Sequence, residues 1–306
     1  MTRLERDMPY LFLTLAACFW GGNYVVGHLL VTEADPVILS QLRWLVTAVL
    51  LMTLYFSQVK QQWEFMKKAK GIILFLSLCG QVLFPVTLYI GLQYTTALNA
   101  AIYMSATPSI VLLINALVFK EKIQGKNYIG VLLSTLGVIY LIFKGNLNFS
   151  EVISHLNKGD LWALGSAISW ALYCAFLRLK PREVKGNAFV AISSVTGSLM
   201  MLPILIIYLF SHDFQISNMG NYASPLFISG LAYLVIFPSW LSYLLWNKGI
   251  LTIGATRGEI FSHLIPLSGG FFGVLFLSEK LHSFHFLSGA LIISGIYFCS
   301  SAKKQG

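Results

Sequence analysis

Glu259 and His263 stand four residues apart in an otherwise apolar stretch. On an α-helix that spacing puts two side chains on one face and within reach of each other. An acid beside a histidine can hold and pass a proton, because histidine changes charge near neutral pH. Pro266 follows on the same side, where a bend would open the face to water. Two readings are open. Either the pair is an inner gate or protonation site, or Glu259, about one turn from the end of its apolar run, pairs with Arg257 or Lys248 at the surface.

Arg43 is a second charge inside an apolar run. A charge at that depth in a bilayer costs roughly 2.5–3.5 kcal/mol on insertion scales, so it must face the interior or a watery cavity. It reads as a contact to an anionic solute group, or else as an outer-side structural lock onto backbone carbonyls or a side chain snorkelling to the surface, the latter pair being preferred. Around these charges lie faces that mix polar and aromatic residues at helical spacing. Trp20, Asn23, Tyr24 and Gly27 form one; Gln81, Pro85 and Tyr89 a second; Ser239, Ser242, Tyr243 and Trp246 a third; Tyr103 and Thr107 flank Pro108. Such faces suit a cavity for small amphipathic solutes, and the expected lining is Trp20, Asn23, Tyr24, Gln81, Tyr89, Tyr103, Trp170 and Tyr243. The competing reading is helix packing with aromatic belts at the membrane interfaces, preferred for Trp44, Trp63 and Trp162.

Catalytic signatures are missing. No H-E-x-x-H, G-x-S-x-G or G-x-x-x-x-G-K-[ST] run occurs, so neither an enzyme nor an ATP-driven device is expected. The four cysteines (Cys18, Cys79, Cys174, Cys299) lie within apolar runs and form no C-x-x-C pair, which suggests packing rather than metal binding or disulfides. No metal and no cofactor are expected.

The elements that carry these residues follow from composition. The chain is 57% hydrophobic and 11% charged, against about 25% charged in soluble domains. An outside as apolar as the inside requires a lipid solvent. Spans need about 20 mostly apolar residues, and ten are read: 9–31, 36–56, 71–92, 96–119, 127–143, 159–179, 188–210, 224–247, 256–277 and 284–301. They lack the two-residue alternation of barrel strands, so they are helices. The expected fold is all-α integral membrane.

Placing both termini in the cytoplasm puts Arg3, Arg6, Lys60, Lys67, Lys68, Lys70, Lys120, Lys122, Lys126, Arg178, Lys180, Arg182, Lys185, Lys248, Arg257, Lys303 and Lys304 inside, 17 of the 21 Lys and Arg. Lys144, Lys158 and Lys280 fall outside. This is the positive-inside asymmetry, and it accounts for the net charge of +9 without nucleic acid.

The stretch 97–122 aligns without gaps to 255–280. Ala97/Ala255, Ile102/Ile260, Pro108/Pro266, Leu117/Leu275, Glu121/Glu279 and Lys122/Lys280 are identical, and Trp20/Trp170 match near each half's start. Five spans per half is an odd number, so the second copy lies upside down. The expectation is two inverted five-helix repeats, 1–146 and 147–306. Pro108 with Pro266 and Pro85 with Pro238 interrupt helices at corresponding or nearby places. Matched helix breaks are the best sequence pointer to a central site.

Phe19-Trp20-Gly21-Gly22-Asn23-Tyr24, Pro36 with Arg43, Tyr94 to Ala97, Pro108 with Lys120-Glu121-Lys122, Gly159-Asp160 with Trp170, and Pro266 with Ser278-Glu279-Lys280 follow one another in order. Over nearly its whole length the sequence resembles the EamA type of the drug/metabolite transporter superfamily. That resemblance implies a secondary carrier of small metabolites, often an exporter of amino acids or related amphipathic solutes. The expected partners are a small-molecule substrate, the lipid bilayer and protons as a candidate coupling ion, with the chain a monomer or homodimer in the plasma (inner) membrane. The alternative is a membrane receptor or scaffold on a transporter-like fold without transport activity.

Overall fold

The computed structural model describes residues 3–32, 34–95, 100, 103–143, 145, 157–211, 222–277 and 282–301. Ala97, Ile102, Glu279 and Lys280 of the internal alignment lie outside the described residues, as do most of the 144–156 connection and the C-terminal tail. Every regular element among the described residues is helical. The α-helices are α1 (Arg3–Leu30), α2 (Pro36–Gln61), α3 (Trp63–Lys68), α4 (Lys70–Ser77), α5 (Phe84–Leu92), α6 (Thr107–Leu117) and α7 (Gly125–Ile142). They continue with α8 (Lys158–Phe176), α9 (Gly186–Ser211), α10 (Pro225–Leu234), α11 (Ser242–Ile253), α12 (Ala255–Gly258), α13 (Leu264–Leu277) and α14 (Ser283–Ser300).

Six segments are long and apolar enough to cross a bilayer: Asp7–Leu30, Pro36–Gln61, Lys70–Leu92, Lys158–Leu179, Gly186–Phe210 and Pro225–Ile253. Met104–Leu117 and Ser283–Cys299 are shorter apolar helices. Large apolar side chains such as Leu117, Phe210 and Tyr297 point outward, as expected for a lipid-facing surface.

Four irregular segments join these helices. Leu78–Leu83 and Val235–Leu241 wind as π-helix. Met104–Ala106 and Glu259–His263 wind as 3₁₀-helix. All four expected helix-breaking prolines are there: Pro85 opens α5, Pro238 lies within its π segment, Pro108 opens α6, and Pro266 follows its 3₁₀ segment by three residues. Proline has no N–H to give the preceding turn, and π and 3₁₀ windings absorb the missing bond. The helix read as ending at 247 runs on to Ile253 and turns at Gly254, whose φ of +87° is open to glycine and unfavourable for other residues.

The packing pairs early elements with late ones. α2 lies along α9, α7 along α14, α1 against α11 and α13, and α8 against α5 and α6. The α7–α14 crossing is close enough that a Cβ on Gly130 would stand 2.7 Å from the Gly295 carbonyl oxygen, and one on Gly295 2.5 Å from that of Gly130.

Local capping fixes where helices start. Asp35 accepts from the N–H groups of Val37 (2.8 Å) and Ile38 (3.2 Å), and Pro36 follows it. Asn157 and Asp160 cap α8: Asn157 Oδ1 accepts from Gly159 N at 2.7 Å, and Asp160 Oδ2 from Asn157 N at 2.8 Å. The connections gather at two ends. At the basic end Arg178 Nη2 donates to Glu121 Oε2 (2.8 Å) and Asn115 Oδ1 (3.0 Å). Thr256 Oγ1 there accepts from Asn115 Nδ2 (2.8 Å) and donates to Glu121 Oε1 (2.9 Å), and the Lys185 N–H donates to Gln62 Oε1 (2.6 Å). At the other end the Tyr208 hydroxyl donates to Asp35, the Asp35 N–H donates to Tyr222 (3.1 Å), and Thr95 donates to Asp160 (3.3 Å).

Candidate functional site

Carbonyls of the irregular helices accept from side chains of distant parts of the chain in the middle of the molecule, Cys79 O in addition to its backbone bond from Phe84 N. Ser169 Oγ donates to Cys79 O at 2.7 Å, and the Tyr243 hydroxyl donates to Gly80 O. In the other direction Trp20 Nε1 donates to Pro238 O at 3.0 Å. The π-helix at Pro238 also leaves the Leu234 carbonyl to Ser239, whose hydroxyl donates to it at 2.7 Å. The residues that satisfy the breaks therefore lock elements of residues 9–89 onto elements of residues 169–243.

Between them lies an aromatic cluster. Trp20 meets Trp170 edge-on at 4.8 Å between ring centroids, Tyr243 at 5.9 Å and Trp246 at 5.0 Å. Trp170 stacks on Tyr173 at 4.9 Å and meets Tyr243 at 5.5 Å. All five rings are buried, so the structure is closed around them.

Two buried ionisable side chains flank the cluster. On one side Arg43, 0% exposed, donates from Nε to Ser239 Oγ (2.5 Å) and from Nη1 to Asn23 Oδ1 (3.1 Å) and the Tyr89 hydroxyl (2.7 Å). Its guanidinium packs on Trp44 with Cζ 5.3 Å from the ring centroid, and Trp44 meets Tyr243 at 5.3 Å. On the other side Glu259 is 1% exposed, and neither carboxyl oxygen has a hydrogen-bond partner. The polar side chains facing it are those of Cys174, Trp170 and Ser262.

Of the expected lining, Trp20, Trp170 and Tyr243 meet in the cluster, and Asn23 and Tyr89 meet at Arg43. Tyr24 is buried with its hydroxyl unpartnered. Two residues turn elsewhere. Gln81 lies against α9: in the orientation that satisfies both ends of its amide, the nitrogen donates to Ser77 O (3.1 Å) and the oxygen accepts from Ser193 Oγ (3.3 Å). Tyr103 is half-buried beside Asp160.

Three expectations are corrected. Glu259 does not form a surface ion pair, for Arg257 Nε donates to Ile253 O (3.0 Å) and Lys248 Nζ sits over Phe12 at 4.6 Å. Glu259 and His263 do not share a face. They lie on 3₁₀-helix, where four residues turn the chain about 120° out of register, and His263 Nε2 is bonded to Ser105 O at 2.8 Å. Trp44 is no interfacial anchor but 0% exposed, unlike Trp63 and Trp162. The sequence reading also missed Tyr173 as a cluster member, although its three-residue spacing from Trp170 pointed there.

Comparison with known proteins assigns this architecture. The family model of the EamA-like transporter family matches residues 7–143 and 157–301. The chain belongs to that family. It is 29% identical to the uncharacterized transporter YetK of Bacillus subtilis (strain 168), over 97% of this chain and 88% of that protein. It is 26% identical to the uncharacterized transporter YyaM of the same organism, over 96% and 94% of the two chains. An uncharacterized transporter of Archaeoglobus fulgidus is 25% identical over 97% of this chain and 98% of that one. A solved crystal structure shares the fold, with a TM-score of 0.70 over 95% of each chain at 16% identity. The EamA-like chain is thus a multi-pass, membrane-embedded protein of a transporter family.

Proposed function

We propose that the protein is a secondary transporter that exports amino acids or related amphipathic solutes by alternating access. In this reading ten helices cross the plasma membrane in two inverted five-helix repeats, 1–146 and 147–306, with both termini in the cytoplasm. The observation that carries it is the mutual satisfaction of the helix breaks. Trp20 bonds the Pro238 carbonyl, while Ser169 and Tyr243 bond the Cys79 and Gly80 carbonyls just before Pro85. Helices broken at matching places around a buried centre are the architecture in which carriers bind solutes.

The packing scheme supports the inversion. Exchanging the repeats maps α1 onto α8, α2 onto α9, α5 onto α11, α6 onto α13 and α7 onto α14. The contacts α1–α11 and α8–α5 then interchange, as do α1–α13 and α8–α6, while α2–α9 and α7–α14 map onto themselves. The orientation is supported by the basic residues Lys67, Lys120, Arg178 and Lys185, whose connections gather at one end with Glu121 and Gln62.

Within this scheme Trp20, Asn23, Tyr24, Tyr89, Trp170 and Tyr243 line the solute path. Glu259 is the protonation site, because a carboxylate buried without a partner needs a proton or a visiting cation. His263 is a gate tie. The test is counterflow in proteoliposomes holding the full-length chain, with a panel of labelled amino acids and their amphipathic relatives. Saturable exchange that Trp170→Ala abolishes is expected. A protein that folds and inserts yet exchanges none of the panel would overturn the reading.

A further inference from the structure

The surroundings of Arg43 show an imbalance that the transport reading alone does not use. Its three hydrogen bonds go to neutral oxygens of Ser239, Asn23 and Tyr89. Its Nη2 is buried with no partner. No carboxylate lies within ion-pair range of it among the described residues. Three more buried polar groups around it also lack partners: the Asn23 amide nitrogen, the Trp44 indole N–H and the Tyr24 hydroxyl. The Asn23 oxygen already accepts from Arg43 and Tyr89, which fixes its nitrogen as a surplus donor.

A buried cation ringed by surplus donors is short of one thing, an anion. Burying a guanidinium costs several kcal/mol unless a counter-charge is present, and neutral oxygens supply none. A mere lock between helices would be made more cheaply by a neutral amide. The geometry therefore points to a charge held ready for a ligand. We propose that Arg43 binds one carboxylate of the transported solute, with Asn23 and Trp44 as further donors, so that the substrates are monocarboxylates or zwitterions with an apolar body.

The charge of that ligand follows from what else is near. Arg43 is the one buried arginine among the described residues. The one buried lysine, Lys180, is at the basic end with its Nζ donating to Pro181 O (3.0 Å) and Val184 O. Burial lowers its ammonium below the usual lysine range. The free Nη2 and the Asn23 amide nitrogen can both donate to one carboxylate, and a single guanidinium would leave a phosphate dianion undercompensated. The aromatic cluster that begins at Trp44 and Tyr243 accepts the apolar body.

This inference rests on the transport reading for its biological meaning, but its test does not require transport. The wild-type full-length chain in nanodiscs is titrated with pairs that differ only in charge: phenylalanine and phenylalaninamide, leucine and leucinamide, 3-phenylpropionate and 3-phenylpropionamide. Binding is read from the melting temperature and from tryptophan fluorescence, since Trp44 lies on the guanidinium. The carboxylates are expected to bind and their amides to bind roughly 10- to 100-fold more weakly, the scale of one charged hydrogen-bonded contact. Arg43→Gln, which keeps an amide in the lock, is expected to remain folded and to lose that discrimination. Arg43→Lys should restore part of it. The wild-type comparison decides the matter even if the variants unfold. Equal binding of acid and amide, or no carboxylate of the panel binding the folded wild type, overturns the proposal. Charge-selective binding without counterflow would overturn transport and leave the site standing. Counterflow of neutral solutes, unchanged in Arg43→Gln, would do the reverse.

Discussion

His263 Nε2 stands 2.8 Å from the carbonyl oxygen of Ser105, and the two residues occupy the same place in the internal alignment of 97–122 with 255–280. Under the proposed inversion, two equivalent positions can touch only near the axis that would relate the two halves. Each lies on a 3₁₀ segment that leads into a proline-marked helix. His263 ties these segments together at 0% exposure. Replacing it with alanine removes a buried hydrogen bond and leaves a void, a loss of about 1–3 kcal/mol. His263→Ala is expected to lower the melting temperature and to slow counterflow. Unchanged values of both would rule out a tie at this point.

Glu259 makes a different prediction, because its carboxyl has no partner to lose. Glu259→Gln keeps the shape and removes the ionisation, so stability is expected to hold or rise. Transport of the wild type is expected to vary with pH and that of the variant to be flatter, if protonation there alternates with solute binding. Initial rates in proteoliposomes at fixed solute gradient measure this. Identical pH profiles for the two proteins would refute the role.

The sequence carried the helical faces well and their partners poorly. Trp20, Asn23, Tyr89, Trp170 and Tyr243 were legible because polar and aromatic residues repeat at 3.6-residue spacing inside apolar runs. Trp44 was misread because its position along the span was taken as the guide, although Ser40, Gln41 and Thr47, one turn away on the same side of α2, are polar and buried with it. Glu259 with His263 failed for a second reason. The i,i+4 rule assumes α winding, and the segment is 3₁₀. Gln81 failed similarly: on the π-helix at Leu78–Leu83 its amide bonds the Ser77 carbonyl and the Ser193 hydroxyl. The doubled prolines announced irregular winding but not which way it would turn the side chains.

The crossing of α7 and α14 gives a packing prediction. A Cβ at Gly130 would meet backbone, not a flexible side chain. Overpacking of that kind costs about 1–3 kcal/mol or separates the helices. Gly130→Val is expected to lower the melting temperature in detergent, whereas Gly125→Val, where a Cβ meets nothing within 4 Å, is not. Equal effects of the two substitutions would contradict the close crossing.

The two ends of the molecule predict an orientation. Lys67 and Lys185 belong with the basic connections, and Tyr222 with the opposite end. In inside-out vesicles and intact cells carrying single cysteines, Lys67→Cys and Lys185→Cys are expected to react with an impermeant maleimide from the cytoplasmic side. Tyr222→Cys should react from outside. Labelling of Lys67→Cys in intact cells would invert the topology and with it the assignment of both termini to the cytoplasm.

The Glu121–Arg178 pair closes the basic end, and its loss is expected to change access more than stability. Both side chains are about a third exposed, at 32% and 33%, where solvent screening holds an ion pair to roughly 0–1 kcal/mol. Yet through Asn115 and Thr256 the pair links the connection after α6, the end of α8 and the start of α12 in one hydrogen-bonded group. Cys174 lies behind it, fully buried, with its thiol accepting from Trp246 Nε1 at 3.2 Å and facing Glu259. In a chain retaining Cys174 as its one cysteine, Glu121→Gln is expected to shift the melting temperature little and to speed maleimide labelling of Cys174 from the cytoplasmic side. Solute that favours the opposite opening should slow that labelling again. If Glu121→Gln leaves the labelling rate as it was while the protein stays folded, the pair is an ordinary surface contact and the gate at this end must be built from other residues.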